Sequence, residues 1–354
     1  GLRAARRGFD DQTVLGDQLA MVHQSTHLVI EVHALAEAGA FGEATRRATA
    51  GRQLAVRDRS TIGRIWFAYH LGRCALLTGR VRTARRWFAE AVTLCRDHGY
   101  PWPLRLAATS LAAAAAAMAD PASARDALRE AGTVEDIGYL RAEQAIGPAW
   151  TAAAEGDLPG ARALLLRAAG EAVASEHVSS AMWLLHDVAR LGDPSTVDKM
   201  VADLAGRSQG RLAAAYAAHV RAAAARDPDG LVAAVDEFRA VGATLYAAEA
   251  AVSAGHAYQQ RGNPRAAARL RALAAGLAQE CEDARTPGLV TATSVAPLTP
   301  REREITMLAA GGASSREIAT RLHLSIRTVD NHLQNIYAKL GVAGRAGLAG
   351  ALAD

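Results

Sequence analysis

A short turn recurs along this chain at a nearly fixed interval, and it dictates the kind of fold open to it. It occurs at Gly39 to Ala44, Gly79 to Ala84, Asp120 to Ala124, Gly156 to Ala161, Gly192 to Val197, Asp227 to Leu231 and Gly262 to Ala267. The closing residues at 44, 84, 124, 161, 197, 231 and 267 stand 40, 40, 37, 36, 34 and 36 apart. A period in this range marks a helical repeat array. Each turn has a physical reading: glycine ends one helix in a left-handed cap, Asp or Asn caps the next, and proline fits its first turn. The flanks carry helical apolar spacing, as in Trp87, Ala91 and Leu94, or Leu158, Ala161, Leu164 and Leu165. About seven hairpins stacked side by side would bury a core that no single pair could bury.

Composition agrees with this picture. Half of the 354 residues are apolar but only 5% are aromatic, and alanine supplies much of the apolar share, including Ala112 to Ala117. Such a chain favours close-packed helices over sheets. The expected fold class is all-α: a solenoid that resembles tetratricopeptide-type repeats, whose usual length is about 34 residues, without their strict Trp/Gly/Tyr pattern. The solenoid is expected over residues 1–285 as a sensor or oligomerisation domain. Residues 286–297, rich in Pro, Thr and Ser, read as a linker, and residues 298–354 read as a separate domain.

That last segment has the pattern of a helix-turn-helix. Thr299, Pro300 and Glu302 supply a capping box for a first helix, which Gly311 and Gly312 end. Ser314 and Glu317 repeat the box for a second helix with Ile318 and Leu322 on its apolar face, and Ser325 caps a third. In the third helix Val329, Leu333, Ile336 and Leu340 fall at i, i+4, i+7 and i+11 and must pack inward. The opposite face then carries Arg327, Asn331, Gln334 and Ala338, with Asp330 and Asn335 at its flanks. That polar set can donate and accept, and it fits a major groove.

The order L-T-x-R-E-x-E, S-x-x-E-I-A, L-x-L-S-x-x-T-V-x-x-H-L and K-L-G-V-x-x-R from residue 298 to about 350 resembles the LuxR/NarL/FixJ-type domain of bacterial transcription factors. The resemblance implies a four-helix domain with its third helix in the major groove of double-stranded DNA. It also implies a last helix, about Gly344 to Leu352, that forms a homodimer on a two-fold operator. Carried over by position, the base-contacting residues are Asp330, Asn331 and Gln334, and the phosphate-contacting ones are Ser315, Arg327, Thr328, His332 and Lys339. Asp330 stands where many members carry a basic residue; an acid there repels phosphate but can accept from a cytosine amino group. A helical-repeat array ahead of such a reader further resembles the large ATP-binding LuxR-family regulators of the maltose-regulator (MalT-like) type. Their solenoid would receive a small-molecule or protein inducer, and activation is their commoner outcome. No G-x-x-x-x-G-K-[ST] motif occurs here, so any ATPase is expected in sequence preceding this chain, which opens at Gly1 and reads as the C-terminal part of a longer polypeptide.

Other features point to little additional chemistry. Of 40 basic residues all but Lys199 and Lys339 are arginine, and the net charge is only +4, which permits DNA binding without arguing for it. Three scattered cysteines, Cys74, Cys95 and Cys281, predict a reduced, cytoplasmic protein with no zinc site. No apolar run reaches membrane-spanning length, so no membrane association is expected. His23, His27 and His33 lack the companions of a metal centre, and no cofactor is expected in this chain. The aromatic group Trp66, Tyr69, His70, Trp87, Phe88, Tyr100 and Trp102 reads as core filling ahead of a ligand groove. No nucleophile elbow and no H-E-x-x-H occurs, so the chain is not expected to be an enzyme. The reading is a sequence-specific transcriptional regulator; the alternative is a helical-repeat interaction scaffold whose DNA-binding domain no longer reads sequence.

Overall fold

The computed structural model describes residues 6, 25–135, 140–289, 300–340, 344, 345 and 348, without the side chains of Ser25, Pro300, Arg303 and residues 338–340. The chain divides into two compact units, residues 1–289 and 290–354. Among the described residues there is no strand, and no helix is long and apolar enough to cross a membrane.

The first unit is a row of helical hairpins. In order they are α1 (Ser25–Glu37) with α2 (Phe41–Arg57), α3 (Thr61–Leu77) with α4 (Val81–His98), α5 (Pro101–Ala116) with α6 (Pro121–Ala131), and α7 (Ile146–Ala154) with α8 (Leu158–Ala174). Then follow α9 (Val178–Arg190) with α10 (Pro194–Ala205), α11 (Arg211–Ala225) with α12 (Pro228–Val241), and α13 (Thr244–Gln260) with α14 (Pro264–Gln279). A short 3₁₀ turn, Arg141–Ala145, leads into α7. The seven hairpin turns are those spaced along the sequence. Gly39, Gly79, Gly156, Gly192 and Gly262 take positive φ there; where glycine is absent, Ala119 and Arg226 adopt the left-handed conformation instead. Asp120, Asp157, Asp227 and Asn263 each accept from the backbone N–H three residues on. Asp193 departs from the pattern: its carboxylate accepts from the Thr196 hydroxyl at 2.9 Å rather than from the backbone.

Inner and outer helices differ as their sequences require. The second helix of each hairpin buries one stripe, as α14 does with Ala267, Leu270, Ala274 and Leu277. Some first helices are enclosed over long runs: in α13 every residue from Leu245 to Val252 is buried, and in α5 so is every residue from Ala112 to Ala116. Alanine makes this possible, because a methyl group lets backbones approach where a longer side chain would hold them apart. The aromatic residues of the second and third hairpins fill core, with Tyr69, His70 and Phe88 buried, and Trp66 packed 5.1 Å from Trp102.

The array winds far enough to meet itself. The α1–α2 turn lies against the start of α11, where a Cβ on Gly210 would come within 2.7 Å of Ala38 Cα. The α3–α4 turn lies against α13, where a Cβ on Gly79 would stand 2.7 Å from Leu245 Cβ. Beyond α14 a strap crosses the same seam. Glu282 accepts from the Thr83 backbone N–H and hydroxyl at 2.7 and 2.8 Å, and the Arg285 N–H donates to Ala117 O at 2.7 Å. Thr286 is buried, its hydroxyl on the Glu249 carboxylate, so the strap belongs to the first unit; residues 290–297 of the expected linker lie outside the described residues. Cys74, Cys95 and Cys281 are buried free thiols, and burial pushes them up to about 11, 12 and 12.

The second unit contains α15 (Pro300–Ala310), α16 (Ser315–Leu322) and α17 (Ile326–Leu340), packed around Ile305, Ala309, Ile318, Ala319, Val329, Leu333, Ile336 and Leu348. Thr299 and most of the expected fourth helix lie outside the described residues.

Candidate nucleic-acid interface

Among the described residues of the second unit, one face of α17 is left exposed. Gly312, at φ +89°, turns the chain after α15. The reciprocal box then starts α16: the Ser314 N–H donates to Glu317 Oε2 at 2.7 Å and the Glu317 N–H to Ser314 Oγ at 3.3 Å. The Ser314 N–H, contributing most, and the Ser314 hydroxyl, also donating to Glu317 Oε2, hold the Glu317 carboxyl below its usual range. His323, left-handed at φ 53°, closes α16, and Ser325 caps α17 by accepting from the Thr328 N–H at 3.0 Å. Arg301 reaches from α15 to the carbonyl of Leu322 and so fastens the turn between the two helices.

Val329, Leu333 and Ile336 are buried at 0%, 3% and 0% exposure, which fixes the rotation of α17 about its axis. Asp330, Asn331 and Gln334 are then exposed, as are Arg327 and Asn335. Their side chains carry hydrogen-bonding groups and stay exposed, the composition a base-reading face needs. The expected phosphate contacts divide. Arg327 is exposed and His332 half-buried; the half-buried Thr328 shares its hydroxyl with Ser325 Oγ at 2.7 Å. Ser315 Oγ accepts from Arg345 Nη2 at 3.1 Å, and Arg345 also donates to the Ala313 carbonyl. With its lone pair so engaged, the Ser315 hydroxyl proton is left for an outside acceptor. The side chain of Lys339 lies outside the described residues.

A second polar feature, unread from the sequence, lies buried within the first unit. Arg73 is 2% exposed and donates to Glu143 at 3.2 and 3.3 Å and to Glu37; Ser180 completes Glu143 at 2.9 Å. Burial opposes the guanidinium's charge, but the two carboxylates outweigh it and raise its pKa well above the usual value. Burial likewise opposes the charge on Glu37, and Arg73 prevails in keeping that carboxyl low. A second knot joins Arg190 to Glu249 at 2.7 and 2.9 Å and to Asp187 at 2.6 Å, with the Trp150 indole N–H on Asp187 at 2.7 Å. His33, Glu37 and Glu143 offer ligand atoms within 4.8 Å of one another, the spacing of a metal centre. The Arg73 guanidinium already bonds both carboxylates, however, and takes the place a cation would fill. The signal in the sequence is a charge set inside a mostly apolar run, as with Arg73 between Leu71 and Ala75 in α3 and Glu249, the one Asp, Glu, Lys or Arg of α13.

Residues 296–351 match the GerE family, described as bacterial regulatory proteins of the luxR family. A protein of Mycobacterium bovis named as an HTH-type transcriptional regulator is 51% identical over 51 residues, 14% of this chain and 6% of that protein. GfsR of Streptomyces halstedii, also named as an HTH-type transcriptional regulator, is 51% identical over 49 residues, 14% of this chain and 20% of its own length. The chain therefore matches only a small share of these relatives' length, and what it shares with them is the reader. The C-terminal unit is thus a LuxR-family helix-turn-helix domain. Among solved structures, a Rap protein complexed with competence and sporulation factor superposes with a TM-score of 0.57 at 11% identity, covering 78% of this chain and 80% of that one. At that identity the likeness concerns the helical-repeat fold.

Proposed function

We propose that this chain is a cytoplasmic, sequence-specific transcription regulator, an activator, in which residues 1–285 receive a signal and residues 298–354 read an operator as a homodimer. The observation that carries this reading is the exposed polar face of α17 on a packed LuxR-family domain. Asp330, Asn331 and Gln334 read base edges; Ser315, Arg327, Thr328, His332 and Lys339 hold phosphates. The signal is a ligand, a protein partner or a second copy of the chain. The Rap likeness supports it, since that protein was solved in complex with competence and sporulation factor. Binding at the solenoid sets whether two readers are presented at half-sites about one helical turn, roughly 34 Å, apart.

Selection of the purified chain against a random duplex pool, followed by fluorescence anisotropy over a salt series, tests the proposal. A two-fold motif should be enriched. Asn331→Ala should lower discrimination at one position of each half-site by about 1–3 kcal/mol. Arg327→Ala should instead weaken all sequences alike and reduce the salt slope by about one phosphate's worth. Sequence-blind binding by the wild type, unchanged in Asn331→Ala, would refute the reading.

A further inference from the structure

We infer that the exposed face of α14, the last helix of the array, binds the phosphate backbone of duplex DNA beside the operator; the inference rests on the second unit's being a DNA reader. Arg261, just ahead of α14, and Arg265, Arg269 and Arg271 within it are all exposed. The exposed residues among them include Ala268, Ala272 and Gly276, all shorter than an arginine side chain, so the guanidinium groups are what a partner meets first.

Earlier in the array, arginines of the second helices are matched by acids of the following hairpin. Arg52 of α2 donates to Glu90 of α4 at 2.8 Å, Arg96 of α4 to Glu130 of α6 at 2.7 Å, and Arg125 of α6 to Glu155, just ahead of α8. Every second helix from α2 to α12 also carries an acid of its own, whereas α14 carries none, and no further hairpin follows to supply one. Among the described residues Arg261 comes within 3.8 Å of Asp227, while Arg265, Arg269 and Arg271 make no hydrogen bond or ion pair. Of the acids after α14, Glu282 is committed to Thr83 and Asp283 to Arg82; Glu280 lies roughly 13 Å along the axis from Arg271. Arg261, Arg265 and Arg269 follow at i, i+4 and i+8, a spacing at which like charges repel and weaken a helix. The fold gains nothing from such a stripe, and a polyanion laid along it relieves the repulsion.

Covalent continuity selects duplex DNA among polyanions. Residues 290–299 alone separate Leu289, at the end of the first unit, from Pro300, at the start of α15. Even fully extended, that stretch spans roughly 40 Å, little more than one turn of duplex. Once the reader is seated, the duplex beside its site is therefore held near the first unit at high effective concentration. Guanidinium groups suit phosphates, and each phosphate neutralised releases condensed counterions. Contacts of this kind carry no sequence information, so the face adds affinity and salt dependence to the reader without changing what it reads.

Anisotropy of the full chain on duplexes of about 20 and about 40 base pairs, the first covering two half-sites and the second adding flanks, tests the inference over a salt series. The wild type is compared with a variant carrying Arg265→Gln, Arg269→Gln and Arg271→Gln together. On the long duplex the slope of log affinity against log salt should be shallower in the variant by about 2.7 for each protomer bound, ~0.9 for each phosphate. Equivalently, the wild type should lose about fortyfold more affinity per protomer between roughly 50 and 200 mM salt. On the short duplex the two proteins should match, and the Tm of the variant should equal or exceed that of the wild type, because like charges have been removed. The inference is overturned if the slopes agree on the long duplex or differ as much on the short one. It is also overturned if the variant loses Tm, or changes its oligomeric state in sedimentation without DNA, which would give the face to the fold or to a second copy. A wild type that binds blind to sequence but keeps the flank-dependent slope would sink base reading alone; a selected motif with equal slopes would sink this inference alone.

Discussion

His186 and His219 meet in the core, Nε2 to Nδ1 at 3.0 Å, so one ring must donate and the other accept. His186 is also stacked on Tyr216 with ring centres 4.1 Å apart. Burial pushes His219 down to about 4 and His186 well below its usual value, with neighbouring Arg190 acting in the same direction on both. A histidine whose folded value lies below its unfolded value gives full stability above the unfolded pKa, near 6.5, and loses it as pH falls towards the folded value. In the window from pH 6.5 to 4, His219 alone should therefore remove about 3 kcal/mol of stability. Tm measured across that window should fall steeply for the wild type and less steeply for His219→Gln, which retains a donor and an acceptor but takes up no proton. Equal slopes in the two proteins would show that the pair does not govern acid sensitivity.

Among the elements, the hairpin turns do two kinds of work, and two glycines separate them. Gly79 and Gly262 both require positive φ, at +85° and +74°, but an added Cβ at Gly262 meets nothing within 4 Å, whereas at Gly79 it meets Leu245 Cβ at 2.7 Å and Leu245 N at 2.9 Å. Gly262→Ala should cost about 1 kcal/mol from backbone strain alone, and Gly79→Ala about 3 kcal/mol or more, because it also wedges the seam. Urea denaturation of both variants would decide; equal losses would mean the seam yields freely. The turns, caps and inward face of α17 were legible because each depends on residues within a few positions: Gly39 before Phe41, Asp227 before Pro228, Val329 against Leu333. The contact of Gly79 with Leu245 was not, since nothing local to either residue records the other. The partners of the buried charges were hidden for the same reason: nothing local to Arg73 or Glu249 records Glu143 or Arg190 until the winding brings several helices around them. The exposure of Arg327, Asp330, Asn331, Gln334 and Asn335 was legible from the spacing of Val329, Leu333 and Ile336, while the engagement of Ser315 with Arg345 required the fold.

At the scale of the whole first unit, an open solenoid and a self-contacting one should unfold differently. In an open array each hairpin touches only its neighbours, and the end hairpins fray first. Here the strap ties Thr83 to Glu282 and Ala117 to Arg285, so early and late hairpins share contacts. Amide hydrogen exchange should find α3 and α13 opening together, with protection close to that of the central α9. Protection that declines steadily from the middle hairpins to the outer ones would show that the seam adds no cooperativity.

The seam also limits how such a molecule can change over generations. An open array accepts a duplicated hairpin readily, because the newcomer only has to fit the two units beside it. In this one a hairpin inserted anywhere between α6 and α11 would put Gly39 out of register with Leu212, Gly79 with Leu245, and Ala117 with Arg285 at once. Its number of coils is as fixed as the number of staves in a barrel, and variation is left to proceed by substitution within each stave.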